Sequence, residues 1–554
     1  MRPLFLALPA LALVAVSARA DESAVLGAMR GEVDRLYAKF STLPENRVYY
    51  LSSGLADTRY VRITAAWGGL VERKSDADRV LDLDMRIGHP SLDNAHHAWG
   101  EGGPGLPVVL DDDGSALAAD LWLEGERRYR DAAEKYARIV ADRAVKVKEE
   151  DPSPDFCSAP RVEYAEPPAV LNVDENGREA EVRRISEVFR RFPEVLESSC
   201  AFTAQAQTRY FVNTEGSAIA QSQALHEIRI VASARADDGM EFSLYRHWVA
   251  RDAAALVAES VVAAEAESMG RTLAGLKGAP LVDPFIGPAL LSGRAAAVLF
   301  HEVLGHRLEG HRQKDENADQ TFTKKLGSRI LPEFVTIVSD PTRQTAAGTT
   351  LMGSYRYDDE GVAARPVVLV DRGILKSWMM CRSPVRGFPE SNGHGRKQPG
   401  TGVVARQANL LVQASRTMPV ARLRSELIRL CKAARKPYGL YFEDIEGGFT
   451  FTGRTIPNAF NVMPIVVRRI YTDGRLDELV RGVDLIGTPL TTLARIVAAG
   501  DDTGVFNGYC GAESGYVPVS AACPTLLIAE MEIQRKQKGE ERQPLLPQPE
   551  WVRP

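Results

Sequence analysis

Nine histidines are spread over 554 residues, yet three fall in one short run, His301-Glu302-Val303-Leu304-Gly305-His306-Arg307-Leu308-Glu309-Gly310-His311. Imidazole nitrogens next to a carboxylate are the groups a hydrolytic metal site needs: neutral nitrogens to hold a divalent ion and an acid to move protons. The familiar zinc-hydrolase spacing is H-E-x-x-H, which stacks its two histidines on one helix face. Here the spacing is one residue longer. At about 100° per residue, His301 and His306 would point roughly 140° apart on an ideal helix, and Glu302 and His306 become the i, i+4 pair. A π-type bulge near Gly305 would bring both histidines back to one face. By geometry alone the zinc reading stands behind a plainer one, a buried polar helix whose histidines are satisfied within the fold.

Other candidates are weaker. His96-His97 are adjacent and point apart on any regular element, so a loop or surface pair is expected. His226-Glu227 lies in an alternating strand with no partner histidine and reads as structural. Asp358-Asp359-Glu360 suits a polar turn as well as a cation site. The glycine-rich stretch 393–402 lacks the G-K-[S/T] of a phosphate loop and reads as a β-hairpin or substrate loop, in which Arg396 and Lys397 are placed to meet a substrate carboxylate. Of the six cysteines (157, 200, 381, 431, 510 and 523), Cys523 reads as a buried thiol, with a rival ligand role as the alternative. Three disulfides are possible by count, and no pairing follows from the sequence.

The elements that must position these groups follow from periodicity. Residues 22–40, 116–148, 179–191 and 253–276 have helical spacing; 47–88, 201–212, 218–234 and 240–250 alternate as strands. Five prolines in 151–168 mark a linker. From residue 281 to about 533, short strands and Gly and Pro turns around one helix near residue 300 suggest an antiparallel β domain. The apolar run Ala295–Phe300 carries that helix into the interior. Residues 534–554 are polar, proline-rich and expected to be disordered. The fold class is thus α+β, with an N-terminal helix-and-sheet region over 21–280 and a β-rich catalytic domain over 281–533.

Residues 1–20 read as a secretory signal: Arg2, an apolar stretch over 4–16, and Ala18-Arg19-Ala20 as the cleavage site. An uncleaved anchor is the alternative, although 13 apolar residues fall short of the roughly 20 a spanning helix needs. Hydrophobic residues at 45%, charged residues at 25% and a net charge of −5 describe an ordinary globular chain and argue against nucleic acid as the main partner. The expected compartment is the periplasm or the exterior.

H-E-x-x-x-H followed by Leu308-Glu309-Gly310 resembles the signature of the TldD/PmbA family, and specifically its TldD branch, since the TldE (PmbA) branch lacks the histidines. Tyr357-Asp358-Asp359-Glu360-Gly361, Ser391-Asn392-Gly393-His394-Gly395-Arg396 and Tyr509-Cys510-Gly511 agree in order. Met85-Arg86-Ile87-Gly88 and Leu92-Asp93-Asn94 are similar to the family's N-terminal part, so the likeness runs from about 25 to 530. The resemblance implies a zinc (Zn2+) metallopeptidase, with His301, His306 and Cys510 as metal ligands and Glu302 as general base to a zinc-activated water. It further implies short or unfolded peptides as substrates, and a homodimer or a heterodimer with a TldE-like paralogue. The chain departs from the family in its export signal, in His311 and in its tail. His311 is expected in a supporting or surface role. The rival from another class is a non-catalytic zinc-containing binding subunit; another zinc hydrolase, such as an amidase, is the rival among enzymes.

Overall fold

The structure, a computed structural model, describes residues 23–102, 105–145, 150–318, 321–450 and 460–536. The segment 1–20 read as a signal, and residues 537–554 of the expected tail, lie outside them. No helix among the described residues is long and apolar enough to cross a membrane.

The N-terminal half is a long antiparallel sheet with helices on one face. Helix α1 (Ala24–Phe40) starts where Ser23 accepts the Leu26 amide, and it buries Val25, Met29, Val33 and Leu36 along one stripe. Then follow β1 (Val48–Ala66), β2 (Gly69–His89), α2 (Gly114–Val145), α3 (Glu175–Glu187), β3 (Val195–Asn213), β4 (Ala218–Arg235), β5 (Glu241–Ala250) and α4 (Glu259–Gly278). The strands run in the order β2-β1-β3-β4-β5, every pair antiparallel. The period of two sorts their residues. Leu51, Leu55 and Ile63 of β1, Phe202 and Val212 of β3, and Ile228 and Ile230 of β4 are buried in two clusters; α1 and α2 pack on one, α3 and α4 on the other. The alternate residues of β3 and β4, Gln205, Gln207, Arg209, Gln221 and Gln223, face a cleft shared with the C-terminal half.

The C-terminal half comprises β6 (Phe285–Leu291), α5 (Gly293–Val303), β7 (Val335–Ser339), β8 (Val367–Asp371), β9 (Asn409–Ala414), α6 (Val420–Ala433), β10 (Tyr438–Thr450), β11 (Phe460–Tyr471), β12 (Val483–Gly487), β13 (Gly504–Ala512), β14 (Gly515–Cys523) and β15 (Leu526–Arg535), among shorter pieces. One sheet runs β8-β7-β9-β14-β13; a second runs β10-β6-β15-β12-β11 and closes where β10 pairs with β11. The expected antiparallel domain is in fact mixed, because β9 pairs in parallel with β14, and β6 with β10. Helix α6 was also missed, although Leu423, Leu427 and Cys431 stand at helical spacing and are its buried face. The strand β15 takes in Gln534 and Arg535, two residues into the stretch read as tail. The α+β class, with a helix-and-sheet region ahead of a β-rich one, is the observed architecture.

Helix α5 lies between the two sheets, against β10, β13 and β14. All its residues but Arg294 are buried, as a helix apolar on every side requires. Ser292 caps it by accepting the Ala295 amide at 3.2 Å. Gly293 lets it approach so closely: a Cβ there would stand 2.3 Å from the Gly504 nitrogen and 2.5 Å from the Cys523 carbonyl oxygen.

The proline-rich stretch 151–168 is tied down. Lys314, 3% exposed, sends its ammonium to the carbonyls of Ser153 (2.8 Å) and Pro154 (3.0 Å) and to Asp155 (3.2 Å), and Asp155 also holds His96 at 2.7 Å. Cys157 donates its amide to the Arg382 carbonyl at 2.9 Å. Replacing Lys314 by Met keeps the stem and deletes three bonds, leaving a buried carboxylate short of a partner. The expected loss is about 3 kcal/mol of stability, read as a lower thermal midpoint; an unchanged midpoint would refute it.

Candidate metal centre

The α-helical turn of α5 ends at Val303. Leu304 breaks the pattern (φ −116°, ψ −48°), and residues Gly305–Leu308 wind as a 3-10 helix. The π bulge that would have brought them together does not form; tightening the chain after the helix end, rather than widening it, overcomes the splay of His301 and His306. Their rings lie 5.0 Å apart, centre to centre, nearly perpendicular at 77°. Gly305 leaves room at the joint for Gln407: a Cβ would fall 1.9 Å from its side-chain oxygen, and its amide donates to the His301 carbonyl at 3.3 Å.

Cys510 arrives from β13, 204 residues away, with its Sγ 3.3 Å from His306 Nε2. The ligand atoms of His301, His306 and Cys510 all lie within 4.8 Å of one another, and all three residues are buried. Two atoms bound to one tetrahedral zinc, at about 2.0 Å for nitrogen and 2.3 Å for sulfur, stand roughly 3.5 Å apart, so the His306–Cys510 spacing suits that ion. The donor chemistry fits too. Burial pushes a thiol up, but the imidazoles of His306 and His301 beside it outweigh that and hold Cys510 well below the usual thiol range. His301 Nδ1 is buried without a hydrogen-bond partner among the described residues.

Behind these groups stands a carboxylate that the sequence reading gave no role. Glu309, fully buried, lies 3.3 Å from His306 Nδ1 and takes the Arg312 Nε–H at 2.9 Å. Against the cost of burial, His306 and Arg312 hold its carboxyl far below the usual range. With Nδ1 turned to a carboxylate, His306 presents Nε2 toward Cys510, the tautomer a metal ligand needs. Arg312 continues to Glu513 at 2.5 and 2.8 Å. Arg406, also fully buried, donates to the Cys510 carbonyl at 2.7 Å and lies 3.6 Å from Glu309, so one guanidinium ties together both segments of the cluster.

The cluster opens on a cleft of about 670 Å³ that Glu302 also lines. Across it stand Glu227, Arg229, Tyr245 and His247, from β4 and β5. Glu227, read from the sequence as structural, therefore faces the site, while its neighbour His226 points into the core. A strand's period of two separates such neighbours, but the pattern cannot say which face meets a distant helix.

The other candidates separate. His311 is neither at the surface nor in the ligand cluster: it is buried against the Trp99 ring at 5.6 Å, and burial with Arg312 alongside pushes it down to about 4, so it stays neutral. Asp358-Asp359-Glu360 forms a turn, with the Asp358 carboxylate accepting the amides of Glu360, Val362 and Gly395. Residues Gly395–Arg396 and Val404–Ala405 pair as the expected hairpin. Its cations are engaged within the protein, contrary to the substrate reading: Lys397 pairs with Asp82, and Arg396 donates to the carbonyls of Gln407 and Pro518, both at 2.8 Å. Cys523 is a buried thiol, and none of the six cysteines is in a disulfide.

Residues 287–535 match the family model described as the PmbA/TldA metallopeptidase C-terminal domain. A metalloprotease of Methanocaldococcus jannaschii is 29% identical over 231 residues, 42% of this chain and 47% of that protein. A zinc metalloprotease TldD homolog of Saccharolobus solfataricus is 25% identical over 252 residues, 44% and 51% of the respective chains. The matched region thus spans about half the length of these relatives. In fold, TldE from Thermococcus kodakarensis superposes with a TM-score of 0.60 at 14% identity, covering 92% of this chain and all of that one. Over residues 287–535 the chain thus carries the C-terminal metallopeptidase domain of the PmbA/TldD kind.

Proposed function

We propose that the protein is a zinc-dependent peptidase acting on short or unfolded peptides, and that it works after export, with residues 1–20 removed. One observation carries the reading: His301, His306 and Cys510 converge within 4.8 Å on a cleft that also holds Glu302. Bound by these three residues, zinc would supply Lewis-acid polarisation of a scissile carbonyl and one open coordination position. The chain supplies the rest. Glu302 takes a proton from the attacking water and delivers it to the leaving amine. Glu309 fixes the His306 ring, and Arg406 fixes the strand that carries Cys510.

The adjoining cleft, with its row of glutamines from β3 and β4, offers amide donors and acceptors suited to an extended backbone. A second copy, or a TldE-like paralogue, is the proposed partner; the likeness in fold to a TldE supports it. The test is metal removal. Dialysis against a chelator is expected to abolish hydrolysis of an internally quenched decapeptide library, and one equivalent of zinc to restore it. Undiminished hydrolysis by the metal-free protein would overturn the reading.

A further inference from the structure

The wall of the cleft opposite the metal cluster carries a second pair of chemical groups. In the register of β4 and β5, Arg229 lies directly across from His247, and Glu227 is the diagonal neighbour. A diagonal pair is within reach of long side chains. Glu227 takes it up, its Oε1 lying 2.9 Å from His247 Nδ1. Because an ionised carboxylate only accepts, Nδ1 carries the proton. The other ring nitrogen, Nε2, makes no hydrogen bond among the described residues, and His247 lines the same cleft as His301, Glu302, His306 and Cys510.

The setting is built rather than incidental. The opposite faces of the two strands, Ile228, Ile230 and Leu244, are locked in the core under α3 and α4, which fixes the face that bears the dyad. Both members are largely withdrawn from solvent, with side chains 14% and 18% exposed. Tyr245 lies on the same face, and Arg294 of α5 stacks over its ring at 5.1 Å, joining the wall of the dyad to the helix that carries His301.

We propose that His247, oriented by Glu227, is a further catalytic residue of the peptidase: from Nε2 it donates a hydrogen bond to the carbonyl oxygen of the scissile amide as negative charge develops there. The inference rests on the peptidase reading above. The donor role requires a proton on each ring nitrogen of His247, and both stay on the ring through the step. Water adds its oxygen to the carbonyl carbon, its proton passes through Glu302 to the amide nitrogen, and the C–N bond breaks to give one carboxylic acid and one amine. Glu227 touches no substrate atom; it is a positioning residue. A donor aimed at charge that exists only in the transition state acts on kcat rather than on substrate binding.

The experiment compares zinc-loaded wild type, His247→Ala, His247→Gln, Glu227→Gln and Glu302→Gln on the quenched decapeptide library, with zinc content measured for each. His247→Ala is expected to lower kcat on the order of 10²- to 10³-fold, with KM within about threefold and zinc unchanged. Glu227→Gln is expected to lose about tenfold in kcat, and His247→Gln, which keeps an amide donor, to lie between His247→Ala and wild type. A kcat for His247→Ala within threefold of wild type, while Glu302→Gln is inactive, would overturn the role of His247 and leave the peptidase intact. Loss of zinc in both His247 variants would make the residue structural and overturn it equally. Absence of turnover by zinc-loaded wild type would overturn the peptidase reading itself.

Discussion

Glu302→Gln is expected to retain about one zinc per chain and to lose peptide hydrolysis by on the order of 10³-fold, the range that removal of a positioned general base commands. The two side chains have the same shape, so nothing is opened in the wall of the cleft. No ion pair is lost either: Glu302 is buried, and its carboxylate has no salt-bridge partner among the described residues. What disappears is the ability to accept a proton. Because Glu302 lies outside the cluster of His301, His306 and Cys510, the metal has no reason to leave. Elemental mass spectrometry and turnover of the quenched library, on the same preparation, read both halves of the expectation. A variant that keeps zinc and cleaves within threefold of wild type would remove Glu302 as base. It would also favour the rival picture of a non-catalytic zinc-containing subunit, for which this substitution should be silent.

The sequence exposed the chemistry of this site better than its geometry. The clustering of His301, Glu302 and His306 was plain, and the apolar run ahead of them placed His301 and Glu302 correctly at the buried end of a helix, with His306 in the turn beyond it. The long strands were equally legible, because a half-buried sheet writes its period of two into every residue. The way in which H-E-x-x-x-H converges was not. Whether the extra residue is absorbed by widening the helix or by ending it depends on what Gly305 meets, and that is Gln407, about a hundred residues on. Glu309 stands out less in the sequence, where a carboxylate three residues from a histidine has the spacing of an ordinary solvated pair. Only Arg312 and Arg406, folded over it, make it an interior anion. The Glu227–His247 pair was hidden more deeply, because its meaning comes from two β-strands and a helix that share no local pattern. Parity could have flagged it: Glu227 and His247 occupy the polar-facing positions of strands whose other face carries the core residues Ile228, Ile230 and Leu244.

Cys510→Ser carries the second large effect, and it tests the least local part of the assignment. Zinc is expected to fall from about one per chain to less than a tenth, with hydrolysis lost in parallel. A serine hydroxyl stays protonated where a thiolate would bind, and two imidazoles alone are a weak site for the ion. The surroundings argue that the thiolate form is what the protein maintains. His306 and His301 favour the charged sulfur, and Arg406 clamps its carbonyl from the rear. Cys523→Ser is the matched control. That thiol is also fully buried, but it lies in the apolar core cluster that includes Leu299 and Leu526, and burial raises it far above the usual range, so it has no anionic form to offer a metal. Its replacement should cost stability and spare the zinc. Full zinc content in Cys510→Ser would move the third ligand elsewhere, and loss of zinc in Cys523→Ser alone would point to that residue. The expected pattern, loss in the first and retention in the second, would tie a strand more than two hundred residues from the histidines to the same ion.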